Sequence, residues 1–186
     1  DMLPILPKMD KVGYWAIEAW GGATFDTCLR FLDEHPWDRL RAINAKTPNT
    51  RLSMLSRGQN LVGYKHYSRE VCERFIAAAK RNGVDVFRII DWLNQLDHMT
   101  LSIDEVRKQG KIAETAFCYT GDILNDGRQK YTLKYYTNLA KEMEKAGANI
   151  IAIKDMAGLL KPEAAYTLIS ALKDSVDLPI QLHSHE

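Results

Sequence analysis

Six short apolar runs recur along the chain, separated by segments of helical periodicity, and this alternation constrains the fold more than any other feature. The runs are YWAIEA (14–19), RLSML (51–55), VDVFRII (84–90), AETAFCY (113–119), NIIAIK (149–154) and PIQLHSH (179–185). Their starts lie 29 to 37 residues apart. Between them, residues 69–82 put Val71, Phe75, Ile76 and Ala79 on one stripe and stop before Gly83, a natural C-cap. Residues 131–146 align Leu133, Tyr136, Leu139, Ala140 and Met143 and stop before Gly147. Residues 161–173 carry Pro162 in the first turn and align Ala165, Leu168, Ile169 and Leu172.

Alternating strands and helices call for a parallel sheet covered by helices. NIIAI is apolar without alternation, as a strand buried on both faces requires. No GxGxxG follows the first strand and no GxxxxGK[ST] occurs, which weakens dinucleotide-binding and P-loop readings. The expected fold is therefore a (β/α)8 TIM barrel. At this spacing 186 residues hold about six βα units, against about 250 residues for a full barrel. The expectation is an incomplete barrel over residues 1–186, taken as one domain because no linker or low-complexity segment divides it. An open doubly wound sheet is the structural alternative.

Composition narrows the function. Twenty-five Lys+Arg against 24 Asp+Glu leave a net charge of +1, too little surplus for a nucleic-acid binder. No apolar run is long enough to span a bilayer, and the first residues lack a basic segment followed by a long apolar one, so the expected location is cytoplasmic. Cys28, Cys72 and Cys118 match no CxxC pattern and read as buried, reduced thiols.

In parallel α/β folds the chemistry gathers beyond the C-terminal strand ends. His183 and His185 in QLHSH are at i and i+2, so both imidazoles project to one face of a strand, an arrangement suited to one divalent metal. They could equally be ordinary surface histidines. Lys154 ends an apolar strand. Burial there favours the neutral amine, able to act as a base, form a Schiff base or take up CO2 as a carbamate. Its ordinary reading is a snorkelling lysine or a partner of Asp155. Arg57 opens RGQNLVGY, where a guanidinium beside a glycine suits capture of a carboxylate, and Gln59, Asn60 and Tyr64 add polar groups. A structural ion pair is the alternative. WGGATFD (20–26) permits close backbone approach, or is a tight turn before a helix capped by Thr24.

Together these stretches resemble the carboxyltransferase domain of biotin-dependent enzymes, which include pyruvate carboxylase, the oxaloacetate decarboxylase α subunit and the transcarboxylase 5S subunit. The resemblance rests on WGGATFD, RFL with PWDRLR (36–41), RGQNLVGY, DVFRIID (85–91), CYTGDI (118–123), IKDMAGLLKPEAAY (153–166) and LHSH (182–185), in family order over nearly the whole chain. It implies a barrel with a divalent metal (Zn, Mn or Co) held by a carboxylated Lys154, His183 and His185. It places Arg57, Tyr64 and Asp91 at the keto acid, with Lys154 and Arg57 as the catalytic groups. The family's aspartate ligand, in a D-x-x-x-R-D-A-H-Q segment, is not among these residues, and neither are its catalytic threonine and biotin carrier motif. HSHE stands where HTHD is commoner, with Glu186 as the departure.

The implied reaction is carboxyl transfer between carboxybiotin and pyruvate or oxaloacetate through the pyruvate enolate. The implied partners are a biotin carrier domain outside this chain, further copies in a homo-oligomer, and a biotin carboxylase or membrane-pump subunit. KMDKVGYWAIEAWGGATFDTCLRFL reads more like decarboxylase α subunits and CYTGDILNDGRQKYTLKYY more like pyruvate carboxylase. The balance leans to a decarboxylase or a split carboxylase subunit. The alternatives are another metal-dependent lyase or aldolase-type barrel acting on a keto acid or acyl-CoA, and an inactive fragment.

Overall fold

The structure, a computed structural model, describes residues 2–125, 127 and 130–185; Glu186 lies outside them. Six strands form one sheet: β1 (Ala16–Gly21), β2 (Arg51–Ser56), β3 (Val84–Ile90), β4 (Ile112–Cys118), β5 (Ile150–Asp155) and β6 (Ile180–Ser184). All neighbours pair in parallel, in the order β1-β2-β3-β4-β5-β6. That order decides between the two expected architectures. A doubly wound sheet reverses its strand order at a switch point. Sequential order with right-handed crossovers keeps every helix on one face and curls the sheet. The chain is thus an arc of six strands of a TIM barrel, with β1 and β6 as its edges.

Helices α1 (Leu6–Met9), α2 (Gly22–Thr27), α3 (Pro36–Lys46), α4 (Arg69–Arg81), α5 (Asp97–Lys108), α6 (Leu133–Lys145) and α7 (Pro162–Lys173) accompany the strands. Their ends follow local chemistry. The Ser68 hydroxyl accepts from the Val71 amide at the start of α4, and Thr132 accepts from Tyr135 at the start of α6. Both helices end where Gly83 and Gly147 take φ of +117° and +98°, a backbone that disfavours side chains. The turn after β1 departs from expectation. Helix α2 begins at Gly22 and not behind a Thr24 cap. Gly22 is needed there because a Cβ would meet the Val62 carbonyl oxygen at 3.0 Å and the Arg57 guanidinium at 3.1 Å.

Strand parity divides the side chains. The outward set, including Leu52, Met54, Phe87, Ile89, Phe117, Ile151 and Ile153, packs with Ile76, Ile103, Tyr136, Met143 and Leu168 of the helices in the main core. The inward set is smaller: Leu55, Ile90, Ala116 and Ala152 form a separate apolar cluster in the lumen. Trp20 anchors the end of β1. It is buried, sends its indole N–H to the Pro36 carbonyl oxygen at 3.1 Å, and lies 5.0 Å from Trp37 and 6.2 Å from Phe75 between ring centroids. Trp20→Ala would empty the centre of this cluster, and denaturant titration should show a loss of about 3–5 kcal/mol.

Candidate functional site

The C-terminal end of β5, and that of β6 with the residue just beyond it, bring three nitrogens together. Parallel pairing sets Lys154 directly beside His183. Lys154 Nζ lies 3.3 Å from His183 Nε2, which lies 2.7 Å from His185 Nε2. The i, i+2 spacing puts the two imidazoles on one face, 4.8 Å apart between centroids. Lys154 is 4% exposed. Burial lowers its pKa, the negative charge of Glu18 opposes this, and the Arg88 guanidinium adds to it. Burial also lowers the His183 pKa, helped by the positive charges of Lys154 and Arg88. Both effects favour the neutral amine and the neutral imidazole. Lys154 does not pair with Asp155. The Asp155 carboxylate accepts from the Leu159 and Leu160 amides, both at 2.9 Å, and so shapes the loop after β5.

These residues fit a divalent cation by donor chemistry. Among the described residues no group of three histidine, cysteine or carboxylate side chains forms a metal cluster; the third donor here is Lys154. Ligand nitrogens around a tetrahedral ion lie roughly 3.3 Å apart for bonds of about 2.0–2.1 Å. The Lys154–His183 separation of 3.3 Å matches that, while the two imidazole Nε2 atoms, 2.7 Å apart, stand at hydrogen-bond distance and would have to part slightly to share an ion.

Arg57 and Tyr64 form a second group, in the loop beyond β2. The Arg57 guanidinium donates to the Val62 and Gly63 carbonyl oxygens at 3.4 and 3.1 Å and sits 4.8 Å from the centre of the Tyr64 ring. The Tyr64 hydroxyl donates to Asp26 Oδ2 at 2.8 Å. No hydrogen bond joins this group to the three nitrogens among the described residues.

Asp91, at the end of β3, faces its own loop. Its carboxylate accepts from the Leu93 and Gln95 amides at 2.9 and 3.0 Å and meets His98 Nδ1 at 3.0 Å. Burial raises its pKa, but these hydrogen bonds outweigh burial and the net shift is downward from 3.8. A carboxylate with a lowered folded pKa stabilises the protein fully above its unfolded value, and that contribution disappears as pH falls through the folded value. Asp91→Ala should therefore lower stability by about 1–3 kcal/mol at neutral pH. Thermal melts should show the gap to the wild type closing as the pH drops below about 3.9.

Sequence reasoning missed the groups beneath His183. Arg88 of β3 is buried, and its one guanidinium reaches four neighbours. Nε donates to Glu114 Oε1 of β4 at 2.7 Å, NH1 pairs with Glu18 of β1, and NH1 also lies 3.0 Å from His183 Nδ1 of β6. In the amide orientation that satisfies both partners, Gln181 accepts from NH2 at 2.8 Å and donates to Glu114 at 3.2 Å. Burial raises the Glu114 pKa, and the adjacent guanidinium opposes that rise. The signal was present as charged residues at inward-facing positions of otherwise apolar runs. Removing one partner of a buried ion pair leaves an uncompensated charge. Arg88→Met should cost about 3–5 kcal/mol in denaturant titration, and adding Glu114→Leu should restore most of it.

Comparisons with known proteins identify the relatives of this chain. A family described as HMGL-like matches residues 126–186. Pyruvate carboxylase of Bacillus subtilis is 55% identical over 172 residues, covering 92% of this chain and 15% of that protein. The methylmalonyl-CoA carboxyltransferase 5S subunit of Propionibacterium freudenreichii is 45% identical, covering all of this chain and 35% of the relative. The carboxyl transferase domain of Rhizobium etli pyruvate carboxylase, solved with pyruvate, superposes with a TM-score of 0.97 at 50% identity, over all of this chain and 32% of that one. The chain thus spans about a third or less of the length of these relatives. It belongs to the carboxyltransferase-domain family that its motifs resemble, that of the pyruvate carboxylases and the transcarboxylase 5S subunit.

Proposed function

We propose that this chain supplies part of a site for carboxyl transfer between carboxybiotin and a small 2-oxo acid, with pyruvate and oxaloacetate as the pair. One observation carries the reading: Lys154, His183 and His185 converge at the C-terminal ends of adjacent barrel strands, where parallel α/β folds place their chemistry. The reported relatives are carboxylases and a carboxyltransferase, which favours the carboxylase direction over the decarboxylase one.

His183, His185 and Lys154 are the residues that would hold a divalent ion. Such an ion supplies positive charge against the oxygen that becomes an enolate. Lys154 has the burial that a carbamate-forming amine needs, since the neutral amine is the form that adds CO2. Arg57 offers guanidinium N–H groups to the keto-acid carboxylate, and Tyr64 holds the guanidinium in place through its ring. Asp91 contributes by fixing the loop beyond β3, on which the RGQN turn packs: a Cβ on Gly58 would run into the His98 backbone. Burial of Lys154 and Arg88 in the lumen lowers the local dielectric and so strengthens the charges beside them. A biotin carrier domain delivers the carboxyl group, and further subunits of the assembly lie outside this chain. None of its described helices is long and apolar enough to cross a membrane.

The test is biotin-dependent exchange of labelled pyruvate into oxaloacetate by the full-length protein that contains this chain. Lys154→Ala should lose both bound metal and exchange; normal metal content with full exchange rejects the assignment. Arg57→Ala should lower kcat/KM for oxaloacetate at least about tenfold, equivalent to about 1.4 kcal/mol of transition-state binding.

A further inference from the structure

Ring-nitrogen chemistry gives the buried cluster under His183 a specific task. A guanidinium can only donate, so His183 Nδ1, 3.0 Å from Arg88 NH1, must accept. In a neutral imidazole the proton then sits on Nε2, the nitrogen facing His185 and Lys154. An Nε2 that carries a proton has no lone pair for a cation. A histidine bound to a cation through Nε2 carries its proton on Nδ1 and donates it to a carboxylate, carbonyl or water. Arg88 cannot take that hydrogen bond. The acceptor beside it is Glu18, whose carboxylate meets the same NH1 group that touches Nδ1. Glu114 is held on the other side of the guanidinium by Nε and by Gln181.

We propose that Glu18 is a positioning residue for His183: it accepts the Nδ1–H hydrogen bond when Nε2 binds a divalent cation, and Arg88 yields NH1 from the ring while staying anchored to Glu114. The inference rests on the reading of Lys154, His183 and His185 as a cation site and adds a residue that orients one of its ligands. The ring keeps its charge. One proton leaves Nε2 and one arrives at Nδ1 through solvent, so the change is of tautomer only. With a cation, the Glu18 carboxylate orients the ring and raises the basicity of Nε2.

The experiment measures Zn2+ affinity by chelator competition in the full-length protein, for Glu18→Gln, Glu18→Met, Glu18→Asp and His183→Ala, each checked by far-UV circular dichroism. Two neutral replacements of different chemistry guard against one of them misfolding. Glu18→Gln and Glu18→Met should each weaken Zn2+ binding about ten- to a hundredfold. Glu18→Asp, which keeps the carboxylate, should recover part of the loss; a merely space-filling role would not favour Asp over Gln. Wild-type affinity in both neutral variants, with affinity lost in His183→Ala, overturns the role of Glu18 and leaves the cation site standing. Wild-type affinity in His183→Ala overturns both.

Discussion

A single buried guanidinium organises the lumen. In a flat sheet β6 would lie three strand spacings from β3, roughly 14 Å, and β1 five spacings from β6, roughly 24 Å. Arg88 stands on β3, yet it touches Glu18 on β1, Glu114 on β4 and His183 on β6. Those contacts exist only because the sheet curls, and the curl in turn buries the charge. Taking a guanidinium and a carboxylate from water costs several kcal/mol per ion, repaid only with good geometry and satisfied hydrogen bonds. Arg88 meets that condition through its planar fork, which addresses several partners at once. A lysine at this position would offer one point charge and could not serve neighbours on three other strands.

The same burial sets the chemistry above it. Lys154 ends a strand whose outward residues, Ile151 and Ile153, belong to the core, and its own side chain turns into the lumen beside His183. Asp155, the nearest carboxylate in sequence, points the other way and holds the Leu159 and Leu160 amides. The separation matters. An adjacent carboxylate would favour the charged ammonium, whereas desolvation favours the amine. The strand alternation thus keeps the compensating charge of Asp155 off Lys154 and uses it to shape the following loop.

Much of this was legible before any coordinates. Strand β3 coincides with the run VDVFRII, and the remaining strands lie within about two residues of their runs, because β-branched apolar clusters bounded by polar turns mark buried strands strongly. The face shared by His183 and His185 followed from period-two geometry, and the helix ends from Gly83 and Gly147. Strand order was not legible from periodicity alone, which says nothing of which strands are neighbours; it came with the barrel reading, and the observed sequential order agrees with it. The Arg88 cluster was hidden for a related reason. Its partners lie 26 to 95 residues away in sequence, so each charge reads alone as an oddity inside an apolar run. Thr24 looked like a cap because threonine commonly is one, but the helix starts two residues earlier, at Gly22, where Val62 and Arg57 approach closely. Asp91 sits where the motif puts it, yet the amides of its own loop and His98 hold its carboxylate.

The lumen shows why a polar layer and an apolar layer alternate along the strands. Leu55, Ile90, Ala116 and Ala152 pack together, two residues beyond Ser53, Arg88 and Glu114 on their strands. Two of the four are alanines, and the inward positions of β5 and β6 nearest the mouth are Lys154 and His183 rather than large apolar groups. Small side chains leave the guanidinium room to reach the histidine ring. A lumen filled by large branched residues would pack well and bury more apolar area, but it would leave His183 without the Arg88 guanidinium beside its ring. The alternation sacrifices packing in one layer so that a charge held deep in the barrel can orient the ring at its mouth.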